Sequence, residues 1–155
     1  MEGLHRHIRA LREDDRSSLL FLAEEVLRPL AEASGHPDRY QSDDLLDLVE
    51  RADVYVAVTG EADGEIAGFV AVEDEAGDLL VRCLCVGPAF EAQRVGHQLL
   101  DWAEGLAYSR GLGHMRVHVP AGDRASQRLY EGHSFVPRPA ADRPEVIVMD
   151  KRLLG

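Results

Sequence analysis

Cysteine is scarce in this chain, which has two, Cys83 and Cys85, among its 155 residues. They stand two positions apart in a predicted strand, where their side chains share a face and extend in parallel, so a disulfide between them is geometrically unfavourable. One Cys-x-Cys pair also offers too few ligands for structural zinc, and the seven histidines add no metal-binding pattern. We therefore expect two small buried side chains and no bound metal.

Long apolar runs are missing as well. No stretch of about 18 apolar residues is present, so we expect no membrane-spanning helix and no membrane partner. The stretch from Met1 to His7 holds no apolar core of the kind that a secretory signal contains. The sequence therefore predicts a cytoplasmic protein.

Basic residues are outnumbered, because 17 Lys and Arg stand against 28 Asp and Glu, for a formal net charge of -11 at pH 7. A nucleic-acid-binding surface needs a basic patch, so we expect no nucleic-acid partner. The negative charge is compatible with a cationic or neutral substrate. The alternative is that the acidic residues only keep the surface soluble.

The length and a hydrophobic content of 45% predict one domain that spans residues 1–155. Apolar periodicity, β-branched runs and turn residues predict the order of its elements. These are a strand at 7–9, helices at 17–27 and 43–51, strands at 54–58, 66–72 and 79–86, a helix at 96–110, a strand at 114–119, a short helix after Asp123, and strands at 134–136 and 145–151. Pro29 is expected to end the first helix, and turns are expected at 62–65 and 75–78. The order indicates an α+β fold with a mixed sheet.

The stretch from Leu84 to Leu100 indicates a phosphate site. It predicts a strand that ends at Pro88, a short polar loop, and a helix whose first turn holds Gly96. The start of a helix presents several unpaired backbone N–H groups to one point, and these bind anionic phosphate without a charged side chain. The alternative for Gly96 is a glycine that lets the helix pack closely.

A second stretch, from Asp123 to Phe135, predicts a short helix that delivers Tyr130, followed by a turn into a new strand. Together the two stretches resemble the GNAT superfamily of N-acetyltransferases. The family pattern for the first stretch is roughly Leu-x-Val-x-Pro-x-Tyr-(Arg/Gln)-Gly-x-Gly-(Ile/Val)-Gly and then a pair of leucines. The residues that match it in register are Leu84, Val86, Pro88, the aromatic Phe90, Val95, Gly96, Leu99 and Leu100.

The family pattern for the second stretch is roughly Asn-x-x-Ala-x-x-Leu-Tyr-Glu-x-x-Gly-Phe. The matching residues are Leu129, Tyr130, Glu131 and Phe135, while Asp123, Ser126 and Ser134 stand where Asn, Ala and Gly are usual. In the first stretch, Glu91 replaces the usual Arg or Gln, and Arg94 replaces Gly. A carboxylate beside a pyrophosphate is electrostatically unfavourable, and the positive charge of Arg94 would offset it.

The resemblance implies a three-layer α/β/α fold with a mostly antiparallel sheet. It also implies transfer of an acetyl or other acyl group from acetyl-CoA to a primary amine of a small molecule or peptide, by direct attack in a ternary complex and without a metal. Backbone groups of Leu84 and Val86 would pair with the pantetheine arm, and the loop from Gln93 to His97 would bind the pyrophosphate. The implied cofactor-binding residues are Leu84, Val86, Glu91, Gln93, Arg94, Val95, Gly96, His97, Asp123 and Tyr130. The resemblance leaves the amine acceptor unnamed, and it allows a homodimer without requiring one.

Tyr130 is the predicted catalytic acid, because a departing coenzyme A thiolate needs a proton and a phenol with a pKa of about 10 can supply it. The alternative is a tyrosine that anchors its helix in the core. An alkylammonium acceptor must itself lose a proton, at a cost of roughly 4.6 kcal/mol at pH 7, so a general base is expected. Glu73, at the end of the strand next to the acyl-CoA strand, is the predicted base. The further candidates are Asp74, Glu24, Glu25, Tyr40 and Asp44.

Two other functions stay open from the sequence. One is a catalytically idle member of the fold that binds coenzyme A or another ligand as a sensor or interaction module. Glu91, Arg94 and the lack of a carboxylate in the strand at 79–86 favour it. The other is a structural interaction protein whose loop takes no phosphate, against which the presence of Tyr130 argues. Binding of acetyl-CoA without turnover would indicate the first, and no binding would indicate the second.

Overall fold

The computed structural model describes residues 6–33, 42–59, 65–138 and 146–153, and in them every side chain except those of residues 6, 30–33, 42–44 and 91–93. The helices are α1 (Arg16–Ala33), α2 (Ser42–Arg51), α3 (Val95–Ser109) and α4 (Arg124–Gly132). The strands are β1 (Arg6–Ala10), β2 (Asp53–Thr59), β3 (Ile66–Glu75), β4 (Asp78–Val86), β5 (His114–Pro120), β6 (Val136–Arg138) and β7 (Val146–Arg152). None of the helices in these ranges is long and apolar enough to span a bilayer.

The strands form one sheet in the order β1-β2-β3-β4-β5-β7-β6. Every neighbouring pair is antiparallel except β4 and β5, which run parallel. The predicted mixed, mostly antiparallel sheet is therefore confirmed. The predicted turn between β3 and β4 is also present, with Ala76 at φ 52° and Gly77 at φ 86°. Positive φ at both central residues matches the twist of the two strands, which lets β3 continue to Glu75 rather than end at Val72.

Hydrophobic clusters cover both faces of the sheet and make three layers. On one face, Leu99 of α3 packs with Val70 of β3. On the other face, Leu19 of α1 packs with Phe69, the residue before Val70. Alternate residues of a strand point to opposite faces, so neighbours in β3 serve different clusters. All four side chains are fully buried, and burial of each stabilises the fold by about 1.5–3 kcal/mol relative to exposure.

A bulge interrupts β4 at Arg82. Ala71 pairs with Cys83, but the next residue of β3, Val72, pairs with Val81, so Arg82 is the extra residue. An extra residue reverses which side chains face each side of the sheet. Val81 packs on the α3 face before the bulge and Leu84 after it, while Cys83 turns to the α1 face.

The two cysteines share that α1 face, as the sequence predicted, and both are free thiols. Cys85 is buried and Cys83 is half-buried. Burial raises the pKa of the Cys83 thiol to about 12. Both therefore behave as small, protonated core side chains.

Helix α1 differs from its prediction, because it continues through Pro29 to Ala33. Proline has no N–H to donate to the carbonyl of Glu25, and its ring crowds that carbonyl, at a cost of about 3 kcal/mol in a helix interior. Pro29 is exposed, while Leu22 and Ala23, earlier in α1, are buried against the sheet. Tertiary packing of the helix therefore outweighs the local rule that ended it at this proline.

The chain after α4 also departs from its prediction. Ser134 adopts φ 71° in a tight turn, so β6 begins at Val136 instead of Ser134. In this turn the amide of Phe135 donates to the carbonyl of Tyr130 at 3.0 Å. This left-handed conformation explains why glycine is usual in the family at the position of Ser134. The predicted turn at 62–65 falls largely on residues outside the described ranges.

The approach of β3 to β4 gives the first testable prediction. A methyl group at Gly68 would lie 2.6 Å from the backbone oxygen of Cys85, whereas one at Gly105, inside α3, would meet nothing within 4 Å. We expect Gly68→Ala to lower the free energy of unfolding by about 2 kcal/mol, and Gly105→Ala to raise it by about 0.5–1 kcal/mol. Urea unfolding of both variants measures the difference. Equal stability of Gly68→Ala and the parent would contradict the β3–β4 packing.

Candidate active site

A cleft of about 650 Å³ opens where β4 and β5 separate. The two strands pair only from Asp78–Val81 to His114–Val117, and the second half of β4 continues without β5 beside it. Four elements form its walls, namely the second half of β4, the start of α3, helix α4 and the second half of α1. The lining residues are Glu25, Val26, Leu27, Pro29, Leu84, Val86, Pro88, Arg94, Gly96, His97, Asp123, Ala125, Ser126, Leu129 and Tyr130.

Helix α3 begins directly at this cleft. The stretch Pro88–Gln93 forms a 3-10 turn, and Arg94 then takes a left-handed conformation, with φ 62° and ψ 30°, immediately before Val95. The amide of Gln98 donates to the carbonyl of Arg94 at 3.1 Å, and the amides of the preceding first turn have no carbonyl partner within the helix. These amides and the positive end of the helix dipole favour an anion.

Arg94 is exposed and lines the cleft. A residue with a Cβ in the left-handed region is strained by roughly 1–2 kcal/mol relative to glycine. The chain therefore places a positive charge beside the helix start at a cost in stability.

Gly96 brings α3 close to its neighbours. A Cβ added there would lie 3.3 Å from Cδ2 of Leu129 on α4 and 3.6 Å from Cγ2 of Val86 on β4. Both neighbours line the cleft, so a larger side chain at this position would fill the space beside the first amides of α3. The contacts of Gly96 therefore agree with the alternative named from the sequence, a glycine that lets α3 pack closely, and the position also adds no side chain beside the first amides of the helix.

Helix α4 delivers Tyr130 to the cleft. The ring is 4% exposed and packs edge-on against Phe135, with 5.3 Å between ring centroids. The Tyr130 hydroxyl makes no hydrogen bond within the described ranges. Burial raises the pKa of Tyr130 well above its usual value, and the negative charges that Cys83 and Asp123 can carry raise it further. The phenol therefore holds its proton at neutral and mildly alkaline pH.

Asp123 is the buried carboxylate of this site, with 5% of its surface exposed. Its Oδ1 accepts a hydrogen bond from the amide of Ser126 at 3.1 Å, so it is the N-cap of α4. The cap fixes the start of the helix that positions Tyr130. Asp123 also lines the cleft, as expected for a residue implied in cofactor binding.

His97 lines the cleft and stacks on His133 at the end of α4, with 4.6 Å between ring centroids. Asp101 lies 3.8 Å from Nδ1 of His133. Burial lowers the pKa of His133, and the charges of His97 and Lys151 lower it further against the opposite effect of Asp101 and Glu104. The stacked pair therefore links the start of α3 to the end of α4.

The structure brings together most of the predicted site residues but excludes the predicted base. Glu73 pairs with Leu80 in the sheet, and roughly 13 Å of strand separates Leu80 from Leu84 in the cleft. Its Oε1 lies 2.6 Å from Nε of Arg82 and 3.7 Å from Nη1 of Arg51. Glu73 is therefore an ion-pair partner on the far part of β3–β4, and its assignment as the base has to be corrected.

The other predicted residues fall into three groups. The backbone and side chains of Leu84, Val86, Arg94, Gly96, His97, Asp123 and Tyr130 meet at the cleft. Val95 turns into the core and is fully buried. Glu91 and Gln93 lie in the 3-10 turn, and their side chains are outside the described part of the structure. The same holds for the whole of Tyr40 and for the side chain of Asp44.

Sequence reasoning placed Val26 and Leu27 in the first predicted helix but did not single them out as lining residues of the cleft. Val26, Leu27 and Pro29 form one wall of the cleft. The apolar spacing of the predicted helix at 17–27 includes Val26 and Leu27, which was the available signal, whereas Pro29 was expected to end that helix. Among the described residues, no three His, Cys, Asp or Glu side chains are placed to hold a metal ion.

The buried histidine gives a prediction of pH dependence. Because burial lowers the folded-state pKa of His133, the unfolded chain binds a proton more readily, and stability is lost as pH falls below the unfolded value of about 6.5. We expect His133→Gln to weaken this acid dependence, and His7→Gln, an exposed histidine on β1, to leave it unchanged. Urea unfolding at pH 7.5 and pH 5 tests it. The same loss of stability in all three proteins would show that His133 does not contribute.

Comparisons with known proteins agree with this geometry. The model of the Acetyltransferase (GNAT) family matches residues 11–135. The PaiA N-acetyltransferase from Thermoplasma acidophilum, solved in complex with coenzyme A, has a TM-score of 0.80 and 20% identity, over 96% of this chain and 99% of that one. The ribosomal-protein-S18-alanine N-acetyltransferase from Escherichia coli has a TM-score of 0.74 and 18% identity, over 97% of each chain.

A GNAT-family acetyltransferase from Staphylococcus aureus is also similar, with a TM-score of 0.78 and 13% identity, over 97% of this chain and 100% of that one. The comparison with curated proteins gave no match. At these identities the solved structures establish a shared fold. The family match covers most of the chain, and the chain therefore belongs to the GNAT acetyltransferase family.

Proposed function

We propose that this protein transfers an acetyl group, or a related acyl group, from acetyl-CoA to a primary amine by direct attack in a ternary complex. The observation that carries the proposal is the convergence of three features on one cleft. These are the start of α3, the open edge of β4 and the Tyr130 hydroxyl.

The cleft fits the parts of coenzyme A by their chemistry. The amides at the start of α3 and the charge of Arg94 suit the pyrophosphate, and Gly96 places no side chain beside those amides. The edge of β4 beyond the bulge offers backbone groups at Leu84 and Val86 to the amides of a pantetheine arm, as an added strand would. The apolar walls formed by Val26, Leu27 and Leu129 suit the methylene groups of that arm.

Tyr130 would donate its proton to the leaving group. When the amine nitrogen bonds to the thioester carbon and the C–S bond breaks, the thiolate sulfur takes up a proton. The raised pKa of Tyr130 ensures that the proton is present, because a buried phenol does not ionise at neutral pH. The edge-on contact with Phe135 holds the ring in place for that transfer.

Tyr130→Phe tests this role directly. We expect kcat to fall by about 10²-fold, while the dissociation constant for acetyl-CoA stays within about twofold because the ring still packs against Phe135. Tyr108→Phe is the matched control, since Tyr108 is 47% exposed on α3. Calorimetry measures binding, and release of free thiol measures turnover over an amine panel. An unchanged kcat would remove Tyr130 from the mechanism.

Arg94 gives a second test, because stability and affinity should change in opposite directions. We expect Arg94→Gly to raise the free energy of unfolding by about 1 kcal/mol through relief of the left-handed strain. The same change should weaken acetyl-CoA binding by about fivefold through loss of the charge. Arg94→Ala is the control, since it loses the charge and keeps the strain. Unchanged affinity in both variants would exclude Arg94 from the binding site.

These titrations also distinguish the alternative function. Micromolar binding of acetyl-CoA with no turnover of any amine would indicate a coenzyme A-binding module, and the absence of binding would exclude both functions.

A further inference from the structure

Two histidine rings stack where α3 begins and α4 ends. The rings of His97 and His133 have 4.6 Å between their centroids and 24° between their planes, and we call them the histidine stack. A Cβ added at Gly132 would lie 3.7 Å from Cε1 of His97, so this ring also packs against the last residues of α4. Contacts with two successive residues therefore restrict the orientation of the His97 ring.

The two rings of the stack have different surroundings. His97 lines the cleft together with Arg94 and Gly96, the residues around the start of α3. His133 is not among the residues that line the cleft, and 10% of its side chain is exposed. Neither ring makes a hydrogen bond with the described residues. The ring nitrogens of His97 are therefore available to a ligand in the cleft, while His133 provides the surface on which this ring stacks.

One proton suits the histidine stack better than two. Burial lowers the pKa of His133, and a charge on His97 lowers it further. Two imidazolium rings in contact would repel each other, so the pair takes up its first proton much more readily than its second. We assign the first proton to His97, because a charge on that ring is in contact with the open cleft.

Other charged groups near the stack leave this charge available. Those that act on His133 are Asp101, Glu104 and Lys151. Glu104 and Lys151 pair with each other at 2.7 Å, and Asp101 is 73% exposed, so solvent screens its charge. The further charged side chains of the cleft and of α4 are Arg94, Glu25, Asp123, Arg124, Arg128 and Glu131. His97 forms no ion pair with any of these side chains, so a proton on its ring can serve an anion in the cleft.

We propose that His97 takes up one proton when a diphosphate ester such as coenzyme A binds, and that its imidazolium donates to a phosphate oxygen, with His133 as the positioning residue beneath it. An imidazole changes its charge between about pH 5 and pH 8, so affinity for the cofactor rises as pH falls through this range. The proton comes from solvent and returns there when the cofactor leaves. This inference rests on the proposed function, since it adds proton-coupled binding to the same site.

Dephospho-CoA is the probe for the test. It keeps the diphosphate but lacks the 3′-phosphate monoester, a group that itself takes up a proton near pH 6. Calorimetric titration at pH 6.5 in two buffers of different ionisation enthalpy measures how many protons accompany binding. We expect the parent protein to take up about 0.3–0.5 proton per ligand, and its dissociation constant to fall about fivefold from pH 7.5 to pH 5.5.

His97→Gln and His7→Gln form the matched pair of variants. A glutamine at position 97 keeps a neutral N–H donor but does not titrate, so we expect no proton uptake and an affinity that does not change with pH. His7 is exposed on β1, and its replacement should leave both quantities as they are in the parent. Thermal unfolding checks that each variant is folded at pH 6.5. Proton uptake by His97→Gln equal to that of the parent would overturn the proposal.

His133→Phe and His133→Ser separate the stacking surface of this residue from its charge. Phenylalanine keeps an aromatic ring beneath His97, so we expect proton uptake and the pH dependence of affinity to remain. Serine removes the ring, and we expect uptake to fall below half of the parent value and the dissociation constant at pH 5.5 to rise about threefold. The same values in both variants would show that His133 does not position His97.

These titrations require no acetyl transfer, so the inference and the proposed function fail separately. Proton-coupled binding of dephospho-CoA without turnover of any amine would refute the transfer and keep the inference. Acetyl transfer by a parent protein that binds dephospho-CoA without proton uptake, or does not bind it, would refute the inference and keep the transfer. No binding of either dephospho-CoA or acetyl-CoA would refute both.

Discussion

Backbone hydrogen bonds join β4 to β5 from Asp78 to Val81 and stop there, and the bulge at Arg82 follows at once. Beyond the bulge, β4 keeps its pairing with β3, where Val86 is opposite Gly68, but its other edge has no strand partner among the described residues. An unpaired buried peptide group costs about 1–3 kcal/mol, so this edge is stable only if water or a ligand reaches it. The cleft is thus a direct consequence of where the strand pairing ends.

The other parts of the cleft follow from that opening. Helix α4 comes after β5, so the separation of the strands gives Leu129 and Tyr130 access to the second half of β4. The N-cap at Asp123 sets the first residue of α4, and that first residue determines which side of the helix Tyr130 occupies. Gly96 then allows α3 to approach Leu129 without filling the space between them. One interruption in the sheet therefore positions the amides and the phenol together.

The order of elements was predictable because periodicity and turn residues depend on local sequence. The bulge was not, since the strand that contains Arg82 is otherwise almost uniformly apolar and shows no change of alternation. The prediction that Glu73 lies beside the reacting groups failed because of the strand directions. Strand β3 runs antiparallel to β4, so the end of β3 lies beside the start of β4, away from the cleft. The expectation that Pro29 ends α1 was wrong, because packing of the helix on the sheet outweighs the local tendency of proline to end a helix.

In the proposed acetyl transfer, the thiols of β4 are poor candidates for an acyl-enzyme intermediate. Cys83 and Cys85 belong to the α1-face cluster rather than to the lining of the cleft, and burial raises the pKa of both thiols. A raised pKa keeps the Cys83 thiol protonated at pH 7, and a protonated thiol is a poor nucleophile. Tyr130 packs in the cluster on the α3 face, while Val26 and Leu27 of α1, which pack on the other face of the sheet, line the same cleft. The opening between β4 and β5 therefore joins the two faces of the sheet, and in the proposed reaction an amine would reach a thioester held beside Tyr130 through this opening.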